Sequence, residues 1–342
     1  MRLSLLIDCG AGETKAVLVV GGEIVRFFFA PARGDEGLPR RLEAADIVLG
    51  RIKKTALALG GAFVDIGGGD AFLSAKKDAA IVEGATAIFR VVRPPLGGKG
   101  AVLSADWRQG LPQPFADAMA KSDGPPRVLS AGVDSAVLIA LRAQMFEPAS
   151  ISPNRADAAA ALTAFGFSAA VDGRAVDETV IEEAVAQALE PEVPLGEGAR
   201  MLISETPGGA VVDIDAGSAS NDSRKPNDRI NALAAARLFG ELSRRGIGGR
   251  IVVDFLPPSS AAARRALLES LEAQGGYYER RPGKLSPDGL LDLTAPRRDF
   301  SLLERASEPF GDGTLIPGRR ATLDWAAKRA VAALERRLRR QP

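Results

Sequence analysis

Two hydrophobic strands, each ending in an aspartate and joined by one helix, constrain this chain more than any other feature. The first reads "GGAVVDIDAGSA" and the second "GIGGRIVVDFLPP", with a helical period over residues 227–244 between them. A crossover of that length returns the second strand beside the first in the same direction, so the two are expected to be parallel neighbours. Asp213 and Asp254 then stand near the carboxyl ends of adjacent strands, close enough to share one cation. Asp215, two residues beyond Asp213, lies on the same strand face. A single aspartate after a parallel strand often caps a helix or binds a loop backbone. Two at corresponding strand ends, with a third on the same face, favour a shared site.

Composition decides what such a site can hold. The 342 residues include no histidine and one cysteine, Cys9. Histidine general-base mechanisms and serine–histidine triads are therefore excluded. With neither imidazole nor a second thiolate, zinc lacks its usual ligands. Any metal must be held by oxygen, which favours magnesium, manganese or calcium. Magnesium keeps several waters and is typically held by one or two carboxylates plus substrate phosphate oxygens, so the aspartate pair suits phosphodiester chemistry. The net charge of +1 gives no global pull toward a polyanion, so nucleic acid needs a local basic surface. A hydrophobic fraction of 46% supports a substantial core and more than one domain. No apolar run approaches the roughly 20 residues of a membrane helix, and residues 1–26 carry no signal-peptide pattern. A cytoplasmic protein with no membrane partner is expected.

Such a basic surface appears near the amino-terminal end. Five short β-type runs, "DIVLGRIKK", "GGAFVDIG", "DAFLS", "TAIFRVVRPP" and "KGAVLSA", follow one another between residues 45 and 105. Their spacing reads as a small closed barrel such as an OB-fold. Arg51, Lys53, Lys54, Lys76, Lys77, Arg90 and Lys99 fall on it, with Phe63 and Phe72 among them. Aromatics that stack on bases, surrounded by cations that follow the backbone, suit single-stranded nucleic acid. The alternative is that both phenylalanines belong to the core.

The flanking segments are simpler. "LLIDCGAGETKAVLVV" leads into "VVGGEIV", a hairpin whose Gly-Gly turn accepts positive φ. Together with "FVDIGGGDAFL" it raises an actin-like or sugar-kinase-type ATPase as a lesser alternative. In that fold the two phosphate loops come from separate lobes, whereas here the second sits inside the barrel strands. Beyond Trp107 helical periods cover residues 134–145, 155–165, 177–189, 227–244 and 259–274, and strands cover 201–205, 210–215 and 250–255. The segment "AAKRAVAALERRLRRQP" reads as a basic surface helix docked on Ala327, Val331, Leu334 and Leu338.

"GGAVVDIDAGSA", followed by "INALAAARLFGELSRRGIGGRIVVDFLPP", resembles the catalytic segment of the ribonuclease E/G family. "LLIDCGAGETKAVLVVGGEIV", the barrel stretch with "GGKGAVLSA", and "LSPDGLLDLTAPRR" are similar to further blocks of that family in the same order. The resemblance implies an α+β, α/β multi-subdomain chain. A ribonuclease H-like subdomain (1–36 and 109–196) would carry an inserted OB-fold RNA-binding barrel (37–108). A DNase I-like catalytic subdomain (197–300) and a tail with the basic helix (301–342) would follow. It implies a magnesium-dependent endoribonuclease acting on single-stranded RNA, in which Asp213 and Asp254 bind the metal, a metal-activated water attacks phosphorus and a 5′ phosphate is left. Asp215 falls where the family usually has an asparagine that orients the scissile phosphate, and Phe63, Phe72 and Lys99 match RNA-contacting positions of the barrel, to which Arg51 and Lys53 add charge. Asn231 matches a recurring family asparagine. The region of the family's 5′-monophosphate sensor is reduced to "RQGLPQPFADAMAKSDG", and the zinc-linking thiol pair has no counterpart, so an oligomer would not be zinc-linked. Pro287 and Asp288 replace an arginine and an aromatic. These departures keep open a catalytically decayed RNA-binding protein of the same fold.

Overall fold

Among the described residues this chain forms two units, residues 2–181 and 182–307. The structure is a computed structural model that describes residues 2–10, 13–31, 42–74, 81–96, 98–172, 178–206, 208–218, 226–276 and 278–307. The expected basic carboxyl-terminal helix, the linker around residues 32–41, and Lys76 and Lys77 lie outside these residues.

In the first unit, β1 (Ser4–Cys9), β2 (Glu13–Val20) and β3 (Glu23–Pro31) form an antiparallel meander. Gly21 and Gly22 make the β2–β3 turn at φ of 58° and 88°, conformations that cost a side chain strain and glycine little. The barrel follows as β4 (Ile47–Ala56), β5 (Gly61–Asp65), β6 (Asp70–Ser74), β7 (Thr86–Arg93) and β8 (Ala101–Ser104). Its strand order is β5-β6-β8-β7-β4, and a further β4–β5 pairing closes the ring, as the five short runs predict. Val48, Val64, Leu73, Phe89, Val91 and Leu103 fill its interior. Each such buried side chain contributes about 1.5–3 kcal/mol relative to exposure.

After the barrel come α1 (Gln113–Ala120), β9 (Arg127–Val128), α2 (Ser135–Ala143), β10 (Ser150–Pro153) and α3 (Ala156–Ala164). Strand β10 joins β1 in parallel to complete a four-stranded sheet. Helix α2 is buried along its whole length, and the Arg142 guanidinium at its end donates 2.8 Å to the Phe29 carbonyl.

The second unit begins within α4 (Glu178–Leu189) and continues as β11 (Glu192–Gly196), β12 (Ala199–Thr206), β13 (Gly209–Asp215), α5 (Pro226–Arg244) and β14 (Gly249–Asp254). Then follow α6 (Ala261–Gly275), β15 (Arg281–Leu285), β16 (Leu290–Ala295) and α7 (Leu302–Ser307). The sheet order is β11-β12-β13-β14-β16-β15, with β13 and β14 parallel across the α5 crossover. Ala210, Val212 and Ile214 of β13 and Ile251 and Val253 of β14 point into a core shared with Ile230, Leu238, Phe239 and Leu242 of α5 and Leu271 of α6. Period-two alternation therefore puts Val211, Asp213 and Asp215, with Arg250 and Asp254, on the opposite, outward face. Among the described residues no helix is long and apolar enough to cross a membrane.

Candidate functional site

Asp213 and Asp254 are direct partners in the parallel β13–β14 register. Neighbouring strands lie about 4.8 Å apart, so two carboxylates at the same level and on one face meet over a small space. Both residues are exposed. The Asp213 carboxyl is nonetheless raised above the ordinary aspartate range, first by partial loss of hydration, then by the negative charges of Asp254 and Asp215, with Arg200 pulling the other way. Mutual repulsion of this kind is what a bound cation relieves.

The donor set suits a hard divalent ion. It offers carboxylate oxygens only, and among the described residues no group of three or more Asp, Glu, Cys or His side chains is placed to hold a metal. Two carboxylates leave the remaining positions to water and substrate, the pattern magnesium takes and a protein-enclosed calcium site does not.

Asp215 follows Asp213 on the same face, and the structure gives it a partner that sequence reasoning missed. Arg200, opposite it in the β12–β13 register, donates Nε (2.8 Å) and Nη2 (2.6 Å) to Asp215 Oδ2. Arg200 Nη1 also lies 3.6 Å from Glu192 Oε2 on β11. The Gly217 amide donates 2.9 Å to Asp215 Oδ1. The extra negative charge at position 215 is therefore offset locally. Cross-strand register is the signal that identifies Arg200, and it cannot be read from a linear spacing.

The chain beyond Asp254 is fixed by the first turns of α5. Asn231, buried, donates Nδ2 to the Leu256 carbonyl (2.8 Å) and accepts from the Leu256 amide at Oδ1 (3.1 Å). Asn227 Nδ2 donates to the Pro257 carbonyl (3.0 Å). Asp228 accepts from the Ser259 amide (2.9 Å) and from its hydroxyl. Gly289, in the "LSPDGLL" turn that contains Pro287 and Asp288, accepts from the Phe255 amide (3.0 Å). The role of Asn231 is thus to hold the backbone that follows Asp254.

On the barrel, Phe63 and Phe72 pair across β5 and β6 with ring centroids 5.7 Å apart at 72°. Phe63 is 40% exposed and Phe72 half-buried, so neither lies in the barrel core. Gly61 permits the close approach of β6, because a Cβ there would meet the Leu73 carbonyl oxygen at 2.0 Å and the Phe72 ring at 2.7 Å. The cations divide. Lys53 Nζ is bonded to both Asp70 oxygens, at 3.0 and 2.9 Å. Its neighbour Lys54, past a register shift in β4, stands directly opposite Phe63. Arg51, opposite Asp65, and Lys99, in a short bridge with Leu96, are exposed. The row Lys54, Phe63, Phe72 and Val102 runs across three strand pairings on the outer surface.

Two ionisable groups stand apart from these surfaces. Cys9, half-buried at the end of β1, has its thiol pushed up to about 12, first by burial and then by Asp134 and Asp8. A thiol held this high is no reactive thiolate. Glu205 on the inward face of β12 is raised chiefly by burial, and its carboxylate meets Ser301.

Comparison with known proteins bears on the aspartate-bearing sheet. Residues 166–298 match the ribonuclease E/G family, a span that includes Asp213, Asp215 and Asp254 and excludes the barrel. A ribonuclease E/G-like protein of Porphyra purpurea is 31% identical over 136 residues, covering 39% of this chain and 27% of that protein. Ribonuclease E of a Synechocystis strain is 30% identical over 133 residues, covering 38% and 20%. Ribonuclease G of Escherichia coli is 34% identical over 127 residues, covering 36% and 26%. The similarity spans about a quarter of the length of these relatives or less.

Proposed function

We propose that this chain, whose residues 166–298 match the ribonuclease E/G family, is an endoribonuclease that hydrolyses single-stranded RNA. The observation that carries this reading is the in-register Asp213–Asp254 pair on the outward face of the sheet. Asp213 and Asp254 would hold magnesium, or manganese in its place. When bound, the ion neutralises charge on the phosphodiester and orients water, which lets a protein without histidine carry out hydrolysis. The chain's own residues do the rest. Asn231 and Gly289 fix the backbone beyond Asp254, and the Arg200–Asp215 pair keeps the neighbouring surface from repelling a phosphate. Phe63 and Phe72 would stack on bases while Lys54, Arg51 and Lys99 follow the backbone, with Lys53 held back by Asp70.

The same reading assigns the strands of the first unit to a ribonuclease H-like subdomain (1–36 and 109–196) around an OB-fold barrel (37–108). It assigns residues 197–300 to a DNase I-like catalytic subdomain and 301–342 to a tail. The product would carry a 5′ phosphate, the setting would be cytoplasmic, and any oligomer would form without a zinc link.

Single-turnover cleavage of an AU-rich single-stranded RNA, with and without magnesium, tests it. The wild-type chain is expected to cut only with the metal, and Asp213→Asn and Asp254→Asn to abolish cutting while RNA binding persists. Magnesium-independent binding with no cleavage would leave an RNA-binding protein instead.

A further inference from the structure

Arg200 belongs to none of the residues that a linear reading assigns to the site, yet it faces the same side of the sheet as Asp213 and Asp215. Its Nε and Nη2 engage a single oxygen, Asp215 Oδ2, at 2.8 and 2.6 Å. A guanidinium carries five N–H donors, of which Asp215 takes two. The Nη1 group, 3.6 Å from Glu192 Oε2, and the second Nη2 hydrogen remain on a side chain that is 39% exposed. A free arginine loses much rotamer freedom when it binds, and a latched one has already lost it. The planar fork also matches the geometry of phosphate oxygens.

We infer that Arg200, latched by Asp215, contacts the RNA phosphate at this site and orients it beside Asp213 and Asp254. Arg200, shared between Asp215 and the more distant Glu192, offsets most of the repulsion from Asp215 and supplies donors that a carboxylate lacks. This assignment rests on the nuclease reading above and adds to it a phosphate-contacting residue.

The test combines cleavage kinetics with metal-free binding of a 2′-O-methyl single-stranded RNA at a series of salt concentrations, each variant being checked for its fold by circular dichroism. Arg200→Gln is expected to lower kcat roughly 100-fold, as loss of one transition-state donor does. It is also expected to reduce the salt slope of binding by about 0.7, the equivalent of one phosphate contact on a single strand. Arg200→Lys keeps the charge without the fork, and intermediate values are expected. Arg200→Gln combined with Asp215→Asn removes the stranded carboxylate and is expected to recover roughly tenfold over Arg200→Gln alone. An active wild type whose cleavage and salt slope are both unchanged by Arg200→Gln overturns this inference and leaves the nuclease reading intact. A wild type that cleaves nothing overturns both. Should Arg200→Gln fail to fold, wild-type values for Arg200→Lys overturn the inference in its place.

Discussion

Asn231 and Leu256 are joined by two hydrogen bonds, the amide nitrogen of the side chain donating at 2.8 Å and its oxygen accepting at 3.1 Å. One buried side chain on α5 thereby satisfies both backbone groups of the second residue after Asp254. The helix that makes β13 and β14 parallel also sets the course of the chain leaving the site.

Replacing Asn231 with alanine strands the part-buried N–H and carbonyl of Leu256. Each unsatisfied buried group costs about 1–3 kcal/mol and these two are partly solvated, so a loss at the low end, roughly 2 kcal/mol, is expected by denaturant unfolding, together with reduced cleavage. Leucine at the same position fills the volume but not the bonds and is expected to do no better.

Gly289 lies at φ of 101°, and a Cβ there would meet the Phe255 carbonyl oxygen at 2.1 Å. Gly289→Ala is therefore expected to destabilise by about 1–3 kcal/mol and to disturb the register beyond Asp254. Thermal unfolding checks the first effect and RNA cleavage the second.

Half of the aspartate-bearing sheet, β12, β13 and β14, is legible in the sequence because these strands are apolar runs with clear stops, and the crossover length alone makes β13 and β14 parallel. The strands β10, β11 and β15 escape such a reading since "SISP", "EVPLG" and "RPGKL" are short and carry proline or glycine, which mark loops, and β16 is missing from it too although "LLDLTA" alternates. Helix α1 escapes because it is eight residues long within a stretch rich in polar residues and proline, although Phe115 is fully buried. In the site, the two aspartates follow from strand position. Arg200 and the choice of Lys54 over Lys53 do not, because cross-strand register and a register shift in β4 decide them.

Acidity offers a separate check. Asp213 has a folded-state value raised above its unfolded one, first by desolvation. A raised acid contributes stability at low pH that is lost as pH rises through the folded value, so the ionised pair opposes folding near neutrality. Without divalent ions, Asp254→Asn is expected to raise Tm at neutral pH, and the gain to shrink on acidification below the aspartate range. A pH series of melting curves in chelator reads this directly.

Phe63 stands on the barrel surface at 40% exposure. Phe63→Ala is expected to weaken single-stranded RNA binding by about 1–3 kcal/mol with little change in Tm, since base stacking rather than core packing is removed. Lys53→Ala, which breaks an exposed pair with Asp70, is expected to change binding less than Lys54→Ala. Fluorescence anisotropy on a labelled RNA compares the three.

The central claim is that Asp213 and Asp254 hold one divalent cation between them. Manganese titration followed by electron paramagnetic resonance measures it most directly, because bound and free ions are counted separately. The account predicts one bound ion per wild-type chain and its loss in both Asp213→Asn and Asp254→Asn. Unchanged binding in either variant, or no bound ion in the wild type, would contradict it.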